Sequence, residues 1–439
     1  MLTPLSNDAL AASIAAKVRR RVLPLLLAGW FVAYIDRFNV SYAALQMNAD
    51  LGLSATIFGL GSGLFFLGYS LFEIPSNLAL SRVGARRWLG RIMISWGIVT
   101  AASVFTRGAA SFAGLRFLLG VAEAGCFPGM TFCLSQWLTP RERAAALGSL
   151  GGISMVSGIV GGPLAAAIMT LNGRWGLTGW QWLFLLEALP AIAIGVAVWR
   201  WLPDPPQNAP WLTPEERRWL DAHEPARPQR PPIAETFRIV TANPRYWAWG
   251  TAILLANAAG SATILFRPTI LKAMTGLSST LASVFTAVPA VVGMVVIVYI
   301  GRRSTRTDER RWHAAIPMLL GAVGVGAAGV AYGLTAALAV ASLSAFAAAA
   351  HPPLFAAVSA EAKGEVNAVG IAFVNSIASL GGFLGPYAMG ALMDATGNLA
   401  VPCAVAGVVM ATGAGLIAAV RPHRVESRAL PSVMAPSRV

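Results

Sequence analysis

Asp36, Arg37, Glu73, Arg116, Glu123 and Glu187 are ionisable side chains set inside long apolar stretches of the chain. An ion in such surroundings costs at least about 2.5 kcal/mol, which makes each a functional candidate. All six fall in the first half. The second half has only Arg267 well inside an apolar stretch, with Lys272 near the end of the same one. Acids and guanidinium groups in one set suit proton exchange. A carboxylate beside an arginine stays ionised, and one released from it into an apolar site takes up a proton. Arginine also grips carboxylates through paired hydrogen bonds, so an anionic ligand can compete with Asp36 or Glu123 for Arg37 or Arg116.

Helical spacing sharpens this set. Asp36 and Arg37 lie about 14 residues into their stretch, roughly 21 Å along a helix and too deep for simple snorkelling. Tyr34, Arg37 and Ser41 share one helix face, and Asp36 and Asn39 the neighbouring one. Arg116 and Glu123 stand two turns apart, with Gly120 between them where another helix or a ligand can approach closely. Salt bridges that merely hold helices together use the same residue types, but two deep mixed-sign pairs favour function. Glu73, ahead of Pro75 and in line with Tyr69 and Asn77, is read first as a structural partner, as is Glu187 ahead of Pro190. Tyr69 is open between core aromatic and ligand contact. Asn375 and Ser379 form a polar stripe that leans to ligand contact over helix glue. His351, before Pro352 and Pro353, suits a hydrogen-bonded structural role ahead of proton relay. Arg267, before Pro268, either snorkels or adds positive charge at a substrate entrance.

These residues need helices that cross a membrane. The 439-residue chain is 56% hydrophobic and only 12% charged, against about 25% charged in soluble domains. Apolar stretches near 22–45, 57–80, 88–106, 111–134, 145–171 and 180–202 approach the ~20 residues a spanning helix needs. A second set follows near 246–271, 280–300, 314–333, 335–358, 366–393 and 399–420. Arginines collect on alternate connections, among them Arg86 and Arg87, Arg141 and Arg143, Arg217 and Arg218, and Arg302 and Arg303. Twelve spans with both termini cytoplasmic satisfy that asymmetry. The basic turn from Arg82 to Arg87 and its echo from Arg306 to Arg311 mark a duplicated six-helix unit.

The expected organisation is a cytoplasmic segment 1–21, a six-helix bundle 22–202, a cytoplasmic linker 203–244, a second bundle 245–420 and a cytoplasmic tail 421–439. Thr213, Pro214 and Glu216 predict a capped surface helix in the linker, running to about His223. The net charge of +14 is scattered between apolar segments rather than gathered into a nucleic-acid surface. Cys126, Cys133 and Cys403 have no metal or disulfide spacing, and no catalytic motif stands out, so neither a metal site nor an enzyme is expected. Val22 to Ile35 follows basic residues as a signal core does, but apolar sequence resumes after Asp36 and Arg37, which favours a span over a cleaved leader.

The motifs resemble those of the anion:cation symporter family of the major facilitator superfamily. They are Tyr34-Ile-Asp36-Arg37-Phe-Asn39, Phe72-Glu73-Ile-Pro75-Ser76-Asn77, Arg116 through Glu123 to Gly125, Leu202-Pro203-Asp204 and Gly381-Gly382-Phe-Leu-Gly385-Pro386. The first half is most similar to bacterial tartrate-transporter-like members. The resemblance implies the major facilitator fold, an all-α membrane protein working as a monomer in a bacterial inner membrane. It also implies uptake of a small organic anion, a carboxylate, hydroxy acid or sugar acid, with the proton as coupling ion and no other cofactor. Asp36 and Glu123 match its protonation sites, Arg37 and Arg116 their charge-balancing partners, and Tyr34, Tyr69 and Asn375 its substrate contacts. Ser81 and Thr305 stand where loop acids latch one conformation, Ala349 replaces a tryptophan, and Arg267 takes a place usually apolar. A proton-driven exporter is the competing reading, weakened because Gly161-Gly162-Pro163 runs on into Leu164 and alanines rather than paired glycines. A membrane sensor is more remote.

Overall fold

The computed structural model describes residues 7–222, 233–361 and 364–420. The spans, numbered in order, are α1 (Leu23–Leu51), α2 (Ala55–Val83), α3 (Ala85–Phe105), α4 (Ala109–Ser135), α5 (Pro140–Met169) and α6 (Gly179–Trp201) in the first half. The second half has α7 (Pro244–Thr275), α8 (Ser279–Thr307), α9 (Arg311–Ala327), α10 (Leu334–Ser359), α11 (Gly364–Thr396) and α12 (Ala400–Ala419). Eleven are long and apolar enough to cross a membrane, and α9, with 17 residues, supplies the twelfth. No strand occurs among the described residues.

Local chemistry starts the spans where it can. Ser54 and Ser278 accept the amides of Ile57 and Leu281 as N-caps, and Thr139 with Glu142 and Thr178 with Gln181 form capping boxes. The predicted linker helix is Pro214–Ala222, with Thr213 and Glu216 exchanging the capping bonds; His223, Arg227, Arg230, Lys363 and the tail 421–439 lie outside the described residues. Glu216 also receives Lys17 at 2.6 Å and Ser13 at 2.7 Å, which ties the linker to a helix over Asn7–Arg21 ahead of α1. Burial pushes the Glu216 carboxyl up, but the bonds from Lys17, the Thr213 amide and Ser13 outweigh it and hold it below the usual range.

Three spans differ from uninterrupted helices. α4 breaks after Glu123, where Gly125 takes φ +84°. α8 kinks at Thr286, and α10 passes through a 3-10 stretch, Ala345–Ala350. The ninth span ends at Ala327, earlier than the predicted 333, and Gly333, at φ +87° with its amide donated to the Met274 carbonyl, leads into α10.

The duplication is visible in the packing. α1–α5, α1–α6, α2–α4 and α3–α6 pair within the first half; α7–α11, α7–α12, α8–α10 and α9–α12 pair within the second, the same pattern six helices on. The basic turns that echo each other in sequence each place a residue at positive φ, Gly84 at +93° and Asp308 at +51°.

Between halves, α2 meets α11, α5 meets α8 and α1 meets α7. These contacts gather at the end away from the linker. One apolar cluster there draws on both halves, including Met47, Phe58, Phe266 and Met389. At the linker end the halves keep separate clusters, so a cleft opens between them. Gly59 and Gly63 let the closed seam form: an added Cβ on Gly63 would sit 2.6 Å from the Phe383 carbonyl, and one on Gly59 would strike the Pro386 carbonyl. At the edge of the seam, Asp394 of α11 accepts the Ala55 and Thr56 amides of α2 at 3.1 and 2.7 Å. An acid at a helix N-terminus is stabilising through both the bonds and the dipole. Asp394→Ala should therefore raise the population open at this end by about 5- to 30-fold, corresponding to ~1–2 kcal/mol. Distances between spin labels on the α1–α2 and α7–α8 turns measure this, and an unchanged distribution would remove the latch from the account.

Candidate functional site

The cleft holds a cavity of about 600 Å³. Its first-half wall carries Trp30, Tyr34, Arg37, Tyr69 and Glu73, and its second-half wall Asn257, Arg267, His351, Asn375 and Ser379. Asp36, Arg116 and Glu123 are not on the wall; they lie behind it, almost fully buried within the first bundle.

Arg37 links the two layers. Its guanidinium forms an ion pair with Glu123, the last helical residue before the α4 break. Around it stand the rings of Trp30 at 6.0 Å, Tyr34 at 5.5 Å, and Phe65 and Tyr69 at 5.3 Å, an aromatic box that favours a cation. Arg37 is thus the one member of the buried charge set that a ligand in the cavity can touch. The α4 break is itself anchored, because Ser76 donates to the Ala124 carbonyl at 2.6 Å.

Asp36, next in sequence to Arg37, points the other way. It accepts Trp96 Nε1 at 2.9 Å, Thr100 at 3.0 Å and Asn39 at 3.1 Å, all inside the bundle. Arg116 lies over Phe65 at 5.0 Å with its Nε and one terminal nitrogen unpartnered. The sequence pairs therefore resolve into one direct ion pair, Arg37–Glu123, while Arg116 reaches Asp36 and Glu123 only through space among the described residues. Gly120 fills the expected role, since a Cβ there would lie 2.9 Å from the Tyr69 amide of α2.

The residues open to two readings are now placed. Tyr69, Asn375 and Ser379 line the cavity, with the Ser379 hydroxyl donating to the Asn375 carbonyl at 2.9 Å. Glu73 also lines it and makes no ion pair among the described residues. His351 sits between Asn257 Oδ1 and the Ala348 carbonyl, each at 3.2 Å. Because Asn257 donates its own amide to Ala378 at 3.1 Å, its oxygen faces His351, so the ring stands between two acceptors and, when neutral, donates to one of them. Arg267 borders the cavity. Glu187, read as a structural partner, makes no ion pair among the described residues; it is almost fully buried, with the Asn39 side chain as its polar neighbour. Among the described residues Ser81 and Thr305 bond only to carbonyls of their own helices, those of Leu78 and Gly301.

Sequence reasoning passed over Trp30 and Phe65 of the aromatic box, Trp96 and Thr100 behind Asp36, and Asn257 beside His351. One signal was present: Trp30, Tyr34 and Arg37 recur at helical spacing, as do Trp96 and Thr100.

A family profile of the Major Facilitator Superfamily matches residues 26–386. A "Putative tartrate transporter" of Agrobacterium vitis is 40% identical over 400 residues, covering 90% of this chain and 91% of the relative. A "Quinolone resistance transporter" of Acinetobacter baumannii is 35% identical over 90% of this chain and 91% of its own. Among solved structures, a bacterial homologue of the human lysosomal transporter Spinster, inward-facing and occupied, superposes with a TM-score of 0.75 at 19% identity, over 90% of this chain and 95% of that one. That last likeness concerns the fold alone.

The buried layer holds Asp36 and Glu187, neither of them in an ion pair, with unequal strength. Asp36→Ala strands three donors, each costing about 1–3 kcal/mol when left unmade, and should lower thermal stability clearly. Glu187→Gln keeps the side chain's volume and has only the Asn39 side chain to disturb, so it should lower the melting temperature less than Asp36→Ala does. Thermal unfolding of both purified variants measures the order, and a reversed order would contradict these assignments.

Proposed function

Because the chain belongs to the Major Facilitator Superfamily, a family of multi-pass membrane transporters and not of enzymes, we propose that it carries a small organic anion into the cell together with protons. The observation that bears most weight is the Arg37–Glu123 pair, with its arginine in the cavity wall and its acid buried behind. A proton arriving on Glu123 releases Arg37, whose guanidinium then binds a substrate carboxylate in bidentate fashion. Loss of the proton returns Glu123 to Arg37 and expels the anion. Asp36, held by Trp96 and Thr100, is the second proton site, and Arg116 offsets the charge of both acids.

Tyr34 and Tyr69 flank Arg37, and Asn375 faces them from the second half, which suits a carboxylate, hydroxy acid or sugar acid. The relative named for tartrate supports that class. On this reading both termini and the linker lie in the cytoplasm of a bacterial inner membrane, which the alternating arginines support, and the cleft described here faces inward. Transport proceeds by rocking of the two bundles about the site, with the chain acting as a monomer. The relative named for quinolone resistance favours a second reading, export of a drug or metabolite against protons.

Uptake of labelled carboxylates and sugar acids into proteoliposomes, with and without an inward-acid gradient, separates the two. Wild type should accumulate one of them only with the gradient, whereas Glu123→Gln should exchange it without accumulation. No carboxylate uptake, or equal accumulation by the variant, would reject proton symport and leave the export reading.

A further inference from the structure

The charges on the two cavity walls are unequally compensated. Arg37 is paired with Glu123, and Glu73, the remaining acid on the wall, has Arg37 as its charged neighbour. Arg267 is the one formally charged side chain that the second half contributes to the wall among the described residues. It makes no hydrogen bond or ion pair there, its Nε is buried without a partner, and the titratable group in its field is the Tyr42 phenol. A buried guanidinium left this way carries a standing desolvation cost that an anion would relieve.

Its position is as telling as its charge. Arg267 also borders a smaller cavity of about 120 Å³ behind Tyr34 and Phe38, beside Tyr42, Ser157 and Thr286. The hydroxyls of Ser157 and Thr286 are donated to backbone carbonyls, of Ile153 at 2.9 Å and Ser283 at 2.6 Å. The Tyr42 phenol has Thr286 as its hydrogen-bonding neighbour, so among the described residues Arg267 is the charged donor left without a partner at the closed end of the space. Arg37 stands on α1 and Arg267 on α7, the equivalent first helices of the two halves, and Tyr34 and Phe38 line both cavities between them.

We infer that Arg267 is a second anion anchor and that the substrate is a dicarboxylate, held at one end by Arg37 and at the other by Arg267. This rests on the organic-anion reading above and narrows it to dianions. A dianion so held joins the two bundles through their first helices, whereas a monocarboxylate engages only one of the two arginines and leaves the other uncompensated. Selectivity between them is thus a property of Arg267.

The test is binding of tartrate and of its monoamide to purified full-length protein, followed by quenching of tryptophan fluorescence, for wild type, Arg267→Gln and Arg267→Lys. Wild type should prefer tartrate to the monoamide by tenfold or more. Arg267→Gln should lose that preference by weakening tartrate alone, and Arg267→Lys should restore part of it. If Arg267→Gln weakens both ligands equally, or neither, Arg267 is not a carboxylate anchor and this inference falls while the organic-anion reading stands. If wild type binds neither ligand, and no other carboxylate either, both fall together. Retained melting temperature in Arg267→Lys guards against misfolding as the cause of any loss.

Discussion

A guanidinium and a carboxylate buried together in a membrane bundle are tolerable only while they hold each other. Removing either partner from Arg37–Glu123 leaves an uncompensated charge whose cost is several kcal/mol. Much of the first bundle serves that pair. The α4 helix stops at Glu123, Ser76 fastens the broken end, and four aromatic rings enclose Arg37 on its cavity side. A pair so dependent on mutual compensation responds to anything that compensates one member in the other's place. A proton does this for Glu123, and an anion for Arg37.

The duplicated architecture brings such a pair to a place where both substitutes can reach it. Six helices repeated with the same neighbours leave two bundles that meet along α2–α11 and α5–α8. Glycines on α2 and the Asp394 cap hold that seam shut at one end. At the other end separate apolar clusters leave the walls apart. Neither Ser81 nor Thr305 offers an acid at the open end. The second half supplies mostly neutral donors and acceptors around the cavity, with Arg267 as its single charge among the described residues.

The spans were legible because uninterrupted apolar runs and alternating arginines are one-dimensional signals, set by the bilayer and not by any particular neighbour. The capped linker helix was legible for the same reason, its three residues being local to it. What could not be read was partnership. Glu123 had two arginines available in sequence, and only packing decides that Arg37 meets it while Arg116 lies over Phe65. Asp36 and Arg37 are adjacent in the chain, yet helix rotation sends one into the bundle and the other into the cavity. The break in α4 was equally hidden, since Ala124-Gly125 inside an apolar run does not distinguish a tolerated glycine from a turn at positive φ.

The claim at the centre of this account is that proton and anion exchange places at Arg37. Infrared difference spectra recorded on adding tartrate to the reconstituted protein address it directly, through the carbonyl stretch of protonated carboxyl groups. Binding should bring up a protonated-carboxyl band that is absent from Glu123→Gln. The same band in that variant, or no such band in wild type when tartrate binds, would mean that the anion enters without protonating Glu123, and the exchange would have to be abandoned.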